Sequence, residues 1–184
     1  MVSWSFVIIA TEEKKTGSGQ TILDAANYLV AASSNSASWC FNKLNVGQIG
    51  AFGASQGAAG AINALMKSNG SIKTVIPIEL LAQVWCFLNC VDTKNLMQGS
   101  VFFVGGSLEP ISPPTQSAQT TRKQSIEAYY SAVSGVVGKV KGTLGGPTHN
   151  DVTDQPDCKL AEVPCGNGVY GYLVDPTAWM MCQL

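Results

Sequence analysis

The chain has a single histidine in 184 residues and few charges of either sign. Charged residues make up 12% of it, and Lys+Arg 11 against Asp+Glu 12 leave a net charge of −1. Such a balance offers no basic surface to a polyanion, so neither nucleic acid nor an anionic membrane is an expected partner. Lys14-Lys15 is the one basic pair near the start and reads as solvated turn chemistry. No apolar run approaches the length of a membrane-spanning helix. Met1 is followed by strand-like sequence rather than a charged segment and cleavage site, so no signal peptide is visible. No Gly-Lys-Ser/Thr is present, which excludes a nucleotide P-loop. There is no Cys-x-x-Cys pair, so no metal site and no cofactor are expected. Internal repeats, low-complexity linkers and lid-sized insertions are also missing. The length then suits a single domain over residues 1–184.

Six cysteines are present. Cys158 and Cys165 flank a short loop, Cys86 and Cys90 lie four apart, and Cys40 and Cys182 remain. Six thiols allow about fifteen pairings, so connectivity is not readable. Disulfides in an exported protein are favoured over free buried thiols, which makes an extracellular or periplasmic location the expectation.

The strongest positive signal is Ile49-Gly50-Ala51-Phe52-Gly53-Ala54-Ser55-Gln56-Gly57-Ala58-Ala59-Gly60. A strand ends in Gly-x-Ser-x-Gly and passes straight into a helix, the sequence form of a nucleophile elbow. Gly53 and Gly57 provide room for the turn, and the alanines keep helix and sheet close. Ser55 would stand exposed at the sheet's carboxyl edge. The helix N-terminus behind it carries partial positive charge and free N–H groups that suit a developing oxyanion.

Two later segments supply context. Val101-Phe102-Phe103-Val104-Gly105-Gly106-Ser107-Leu108-Glu109 is an apolar β-forming run that ends in glycines and a carboxylate. Glu109 therefore falls in a loop past a strand's carboxyl end, where α/β sheets build their sites. Val136 to Gly146 repeats that pattern and leads to His149. The order Ser…Glu…His is the one a hydrolase triad requires. A serine hydroxyl needs a base within hydrogen-bond reach, an imidazole can accept and return that proton, and a buried carboxylate fixes its tautomer. Ser55, His149 and Glu109 are the candidates. Asp151, Asp154 and Asp92 are the weaker rivals for the acid.

The coarse layout alternates. Strands are expected at 5–10, 46–52, 72–78, 100–105 and 136–142. Helices are expected at 21–31, 56–67, 116–133 and 171–183, the last broken or started near Pro176. Such alternation argues an α/β fold, a mainly parallel sheet covered by helices on both faces in three layers. Residues 80–90 follow a strand end, and Trp85 and Phe87 could form an apolar wall for an acyl or aromatic ester group. Packing of that segment into the core is the competing reading.

On these residues the chain resembles the α/β-hydrolase superfamily, nearest to secreted dienelactone-hydrolase-like and cutinase-like (polyester hydrolase) serine esterases. Residues 4–10 resemble that fold's fourth strand, and the Glu109 and His149 loops fall where the family keeps its acid and base. The resemblance implies that the Gln56 N–H is one oxyanion donor. It also implies that the chain begins at the fourth strand and that the third, which normally lies between 5–10 and 46–52, is missing. Direct pairing of the two strands, a second chain or oligomer completing the sheet, or a poorly folding fragment are the three consequences. The expected function is a serine carboxylic-ester hydrolase acting through an acyl-enzyme on short-chain or polymeric esters. The alternative is a non-catalytic hydrolase remnant or subunit with an incomplete oxyanion hole. An acyltransferase or peptidase on the same triad is a weaker third.

Overall fold

A computed structural model of the chain describes residues 5–82, 89–111, 125–153 and 171–184. Strands and helices alternate along them: α1 (Gln20–Ser34), β1 (Ile49–Ala54), α2 (Gln56–Lys67), β2 (Ile72–Ile78), β3 (Ser100–Gly106), α3 (Ile126–Ala132), β4 (Gly138–Leu144) and α4 (Gly171–Gln183). The strands form one sheet in the order β1-β2-β3-β4, and every neighbouring pair is parallel. The architecture is α/β.

The two central strands explain their own sequences. In β3, Val101 and Phe103 join a core with α1, α2 and α3, while Phe102 and Val104 join a second core with α4. In β2, Val75 faces the first core, and Ile76 and Ile78 face the second. Burial on both faces replaces the usual apolar–polar alternation with a continuous apolar run. Small residues let α2 approach closely: Ala58, Ala61 and Ala64 are buried to the last atom. A Cβ on Gly60 would lie 2.3 Å from the Thr16 carbonyl oxygen, so only glycine allows the Thr16–Ser18 turn to rest on α2. The Asn63 amide and the Lys67 ammonium tie that turn down through the carbonyls of Gly17 and Ser18, both at 2.8 Å.

Several boundaries differ from expectation. Residues 5–10 form no strand, so their direct pairing with β1 does not occur. They are an irregular segment, exposed except for Phe6, which packs on the second core, and they share with β1 and α1 the lining of a cavity of about 470 Å³. An apolar run becomes a strand only where a ladder partner satisfies its backbone, and here a gap lies where that partner would be. β1 starts at Ile49 because Asn45 builds a turn, accepting from the Gly47 N–H at 3.3 Å and donating to the Gln48 side chain at 2.6 Å. β4 starts at Gly138 because the Val137 N–H closes a turn on the Ser134 carbonyl at 3.1 Å. α3 begins at the Ser125 cap, whose hydroxyl accepts from the Ala128 N–H at 3.2 Å. The expected helix from 116 lies partly outside the described residues. α4 runs through Pro176, which forgoes one backbone hydrogen bond.

Candidate active site

Parallel register brings the strand ends into one row. Ala54 pairs with Ile78, Ile78 with Val104, and Val104 with Gly142. The residues that follow these positions leave the sheet at one edge, where α/β folds place their chemistry.

Ser55 is the single residue between β1 and α2, with φ 54° and ψ −116°. A non-glycine residue there is strained and persists only when its surroundings hold it. Its N–H donates to the Ile78 carbonyl at 2.9 Å, and its carbonyl accepts from the Ala58 N–H at 3.0 Å. A Cβ on Gly53 would lie 2.3 Å from the Gly57 carbonyl oxygen, so that glycine is obligatory. Gly57 differs from expectation: a Cβ there meets nothing nearer than the Thr16 hydroxyl at 3.8 Å. The sharp turn needs one of the two glycines for space. Gln56 opens α2, and its backbone N–H is among those that a helix start leaves without an intrahelical acceptor.

His149 Nε2 lies 3.0 Å from Ser55 Oγ, and His149 Nδ1 lies 2.9 Å from Glu109 Oε2. A carboxylate can only accept, so Nδ1 carries the proton and Nε2 is left to accept from the serine hydroxyl. Both Glu109 and His149 are buried. Their loops brace each other: the Leu108 N–H donates to the Pro147 carbonyl at 3.1 Å, and the Ser107 N–H to Leu144 at 2.8 Å. Glu109 Oε1 accepts from the Ile111 N–H at 2.5 Å.

The rivals for the acid do other work. Asp151 is fully buried and accepts from the Thr148 N–H at 2.7 Å and the Thr148 hydroxyl at 2.9 Å, which fixes the residue before His149. Asp92 caps the Thr93–Asn95 turn by accepting from the Lys94 N–H at 3.2 Å. Asp154, Trp85 and Phe87 lie outside the described residues, so the apolar wall assigned to Trp85 and Phe87 is not described either. Cys90 is disulfide-bonded, whereas Cys40 and Cys182 are free thiols. Cys86, Cys158 and Cys165 lie outside the described residues.

One site residue was missed by reading the sequence. Glu79 follows β2 directly, has φ 49° and is fully buried. Its Oε1 accepts from the Gly106 N–H at 2.7 Å and from the Tyr172 hydroxyl. Burial, and next the charge of Glu109, push its carboxyl up to about 9. Tyr172 is raised as well, first by burial and then by Glu79. The signal was available: Glu79 is a carboxylate at the carboxyl end of an apolar run, as Glu109 is.

Donor atoms of Glu79, Glu109 and His149 lie within 4.8 Å of one another, a set that could ligate a cation. Both imidazole nitrogens are already engaged, by Glu109 and by Ser55. A cation would have to displace one of them, so the arrangement suits proton transfer better than metal binding. Neither a protein-family model nor a curated protein sequence matches the chain.

Proposed function

We propose that this chain is a serine carboxylic-ester hydrolase of the α/β-hydrolase type, with Ser55 as nucleophile, His149 as base and then acid, and Glu109 as the orienting acid. One observation carries the reading: the unbroken relay from Ser55 Oγ through both His149 nitrogens to Glu109, at 3.0 and 2.9 Å. The strained serine at a strand-to-helix turn supports it independently.

The chemistry follows from the geometry. Ser55 attacks the ester carbonyl as Nε2 takes its proton. Glu109 stabilises the imidazolium that forms. The Gln56 N–H, at the positive end of α2, holds the oxyanion. His149 then protonates the leaving alcohol, and water attacks the acyl-enzyme by the same relay in reverse. Ser55 is half-buried and thus reachable from solvent. Short-chain or polymeric esters are the substrates proposed, because no long insertion among the described residues would bury a fatty chain.

Burst kinetics with p-nitrophenyl acetate and butyrate, on the native chain and on Ser55→Ala, test this. A burst followed by turnover in the native chain alone is the expected result. Equal rates in two folded samples would sink the reading. One observation favours the non-catalytic alternative in that event: among the described residues β1 pairs only with β2, so the side of the sheet next to Ser55 is open.

A further inference from the structure

We infer that Glu79 is a positioning residue that, as a neutral carboxylic acid, donates a hydrogen bond to Glu109 and holds in place the carboxylate that orients His149. The inference rests on the proposed triad for its catalytic meaning.

Carboxyl oxygens of Glu79 and Glu109 lie within 4.8 Å of each other, and both residues are buried. Two buried carboxylates this close repel each other unless one holds a proton, which the other can then accept in a hydrogen bond. Two arguments place the proton on Glu79. Glu109 faces the His149 ring N–H at 2.9 Å and the Ile111 N–H at 2.5 Å, and it must stay anionic opposite an imidazolium. Glu79 lies fully buried beside the Glu109 charge, and because its Oε1 accepts from the Gly106 N–H and the Tyr172 hydroxyl, its proton belongs on Oε2. Among the described residues, the titratable groups around it are Glu109 after β3, His149 after β4 and Tyr172 on α4. Tyr172 has Asp151 as a further acidic neighbour. The raised carboxyl agrees with this arrangement.

The arrangement has a purpose that a plain apolar wall could not serve. The neutral acid adds a donor to Glu109 without adding a second negative charge beside His149. Once Glu79 ionises, the bond to Glu109 becomes a repulsion between adjacent carboxylates, and Glu109 loses its register on Nδ1. Activity should then fall along an alkaline limb near pH 9.

Two variants separate positioning from bulk. Glu79→Gln keeps a donor toward Glu109 and an acceptor toward Gly106 and Tyr172, yet cannot ionise. Glu79→Leu keeps volume alone. The expectation is that Glu79→Leu lowers kcat by about 10- to 100-fold with KM little changed, the usual range for a residue that orients another. Glu79→Gln should recover most of that loss and also flatten the alkaline limb. A limb that stays where it was in Glu79→Gln would overturn the inference.

NMR reads the same claim without turnover, on Ser55→Ala protein with labelled glutamate carboxyl carbons. One glutamate signal should stay protonated through neutral pH and vanish when Glu79→Gln is added. The downfield His149 Nδ1 proton should persist in Glu79→Gln. If every glutamate is ionised at pH 7, the inference fails, whatever the esterase result. If the protonated signal is present but no Ser55-dependent turnover exists, the proton-sharing pair stands and the proposed function falls. Should Glu79→Leu not fold, the Glu79→Gln profile and the carboxyl titration still decide.

Discussion

At the carboxyl ends of the strands, polar side chains are buried: Glu79, Glu109, His149, Asn150 and Asp151 are all shielded from water. Along the outer edge of β1, apolar ones are exposed: Phe52 stands 43% open, and Val7, Ile8 and Ile9 beside the cavity are open too. Both arrangements are costly, since buried polar groups lose water and exposed apolar groups order it. The first cost is offset within the chain, because the strand-end loops supply hydrogen bonds to one another. The second is not offset among the described residues. The opposite edge of the sheet shows how the same problem is handled elsewhere. On β4, Lys139 donates to the carbonyls of Tyr130 and Val133 at 3.0 and 2.8 Å and lies over the Tyr130 ring. Lysine on an edge strand discourages further pairing. The site is thus a region whose polar groups brace one another through hydrogen bonds, and β1 is, among the described residues, a region whose apolar surface calls for a cover.

The largest effects should come from breaking the satisfied region. Ser55→Ala or His149→Ala should lower ester turnover by about 10⁴-fold or more, because members of such a relay act as a unit. Glu109→Ala should cost about 10³- to 10⁴-fold while leaving substrate affinity nearly unchanged. Steady-state and burst kinetics check both. A residual rate in Ser55→Ala equal to the native rate would place the reaction elsewhere on the molecule.

The backbone beneath the relay should be the next most sensitive. Gly53→Ala drives a methyl to within 2.3 Å of the Gly57 carbonyl oxygen, and backbone cannot step aside as a side chain can. A loss of about 3 kcal/mol or more in urea unfolding is expected. Gly57→Ala has open space and gains helix propensity, so its change should stay within about 1 kcal/mol. Equal midpoints for the two variants would mean that the elbow is not built as described.

Much of this region was legible in the sequence, for physical reasons that also explain the failures. Strands buried on both faces announce themselves as apolar runs, residues 75–78 of β2 and 101–104 of β3, so both strands were readable to within a residue. The elbow was readable because a strained serine needs small neighbours. That Ser55, Glu109 and His149 meet was readable because each follows a strand, and parallel strands bring such ends together. Residues 5–10 carry an equally good apolar run and yet form no strand. Strand formation depends on a partner's backbone, and no residue inside the segment encodes that partner. Glu79 escaped notice because no glycine-rich loop follows it: Leu80-Leu81-Ala82 continue the apolar run of β2 past it. Its role depends on Tyr172, which lies 93 positions away in sequence and meets it only after folding.

A smaller effect follows from the proton on Glu79. The fold holds that proton up to about 9, against 4.5 for an unperturbed carboxyl. Between those values the folded chain binds a proton that the unfolded chain has lost. The stability this lends is fully present below about pH 4.5 and is lost as pH rises toward 9. Glu79→Gln has no such proton to lose, so its melting temperature should rise relative to the native chain between pH 5 and pH 8.5. A constant difference across that range would show that Glu79 is ionised in the fold.

The smallest effect should appear at the uncovered edge. Phe52→Lys removes the most prominent apolar side chain of β1 and places on that edge the residue type that β4 already uses. Phe52 is already 43% exposed, so the substitution should cost only about 1 kcal/mol of stability. Its main consequence should be colloidal, with sedimentation velocity showing less concentration-dependent association than the native chain. Val140→Lys is the matched control, since Val140 is 42% exposed on the edge that lysines already protect. If both substitutions change association equally, the two edges are equivalent and the contrast between them fails. If only Phe52→Lys changes it, the β1 edge is the surface that needs a cover, and the distance from there to Ser55 is a single residue beyond the strand's end.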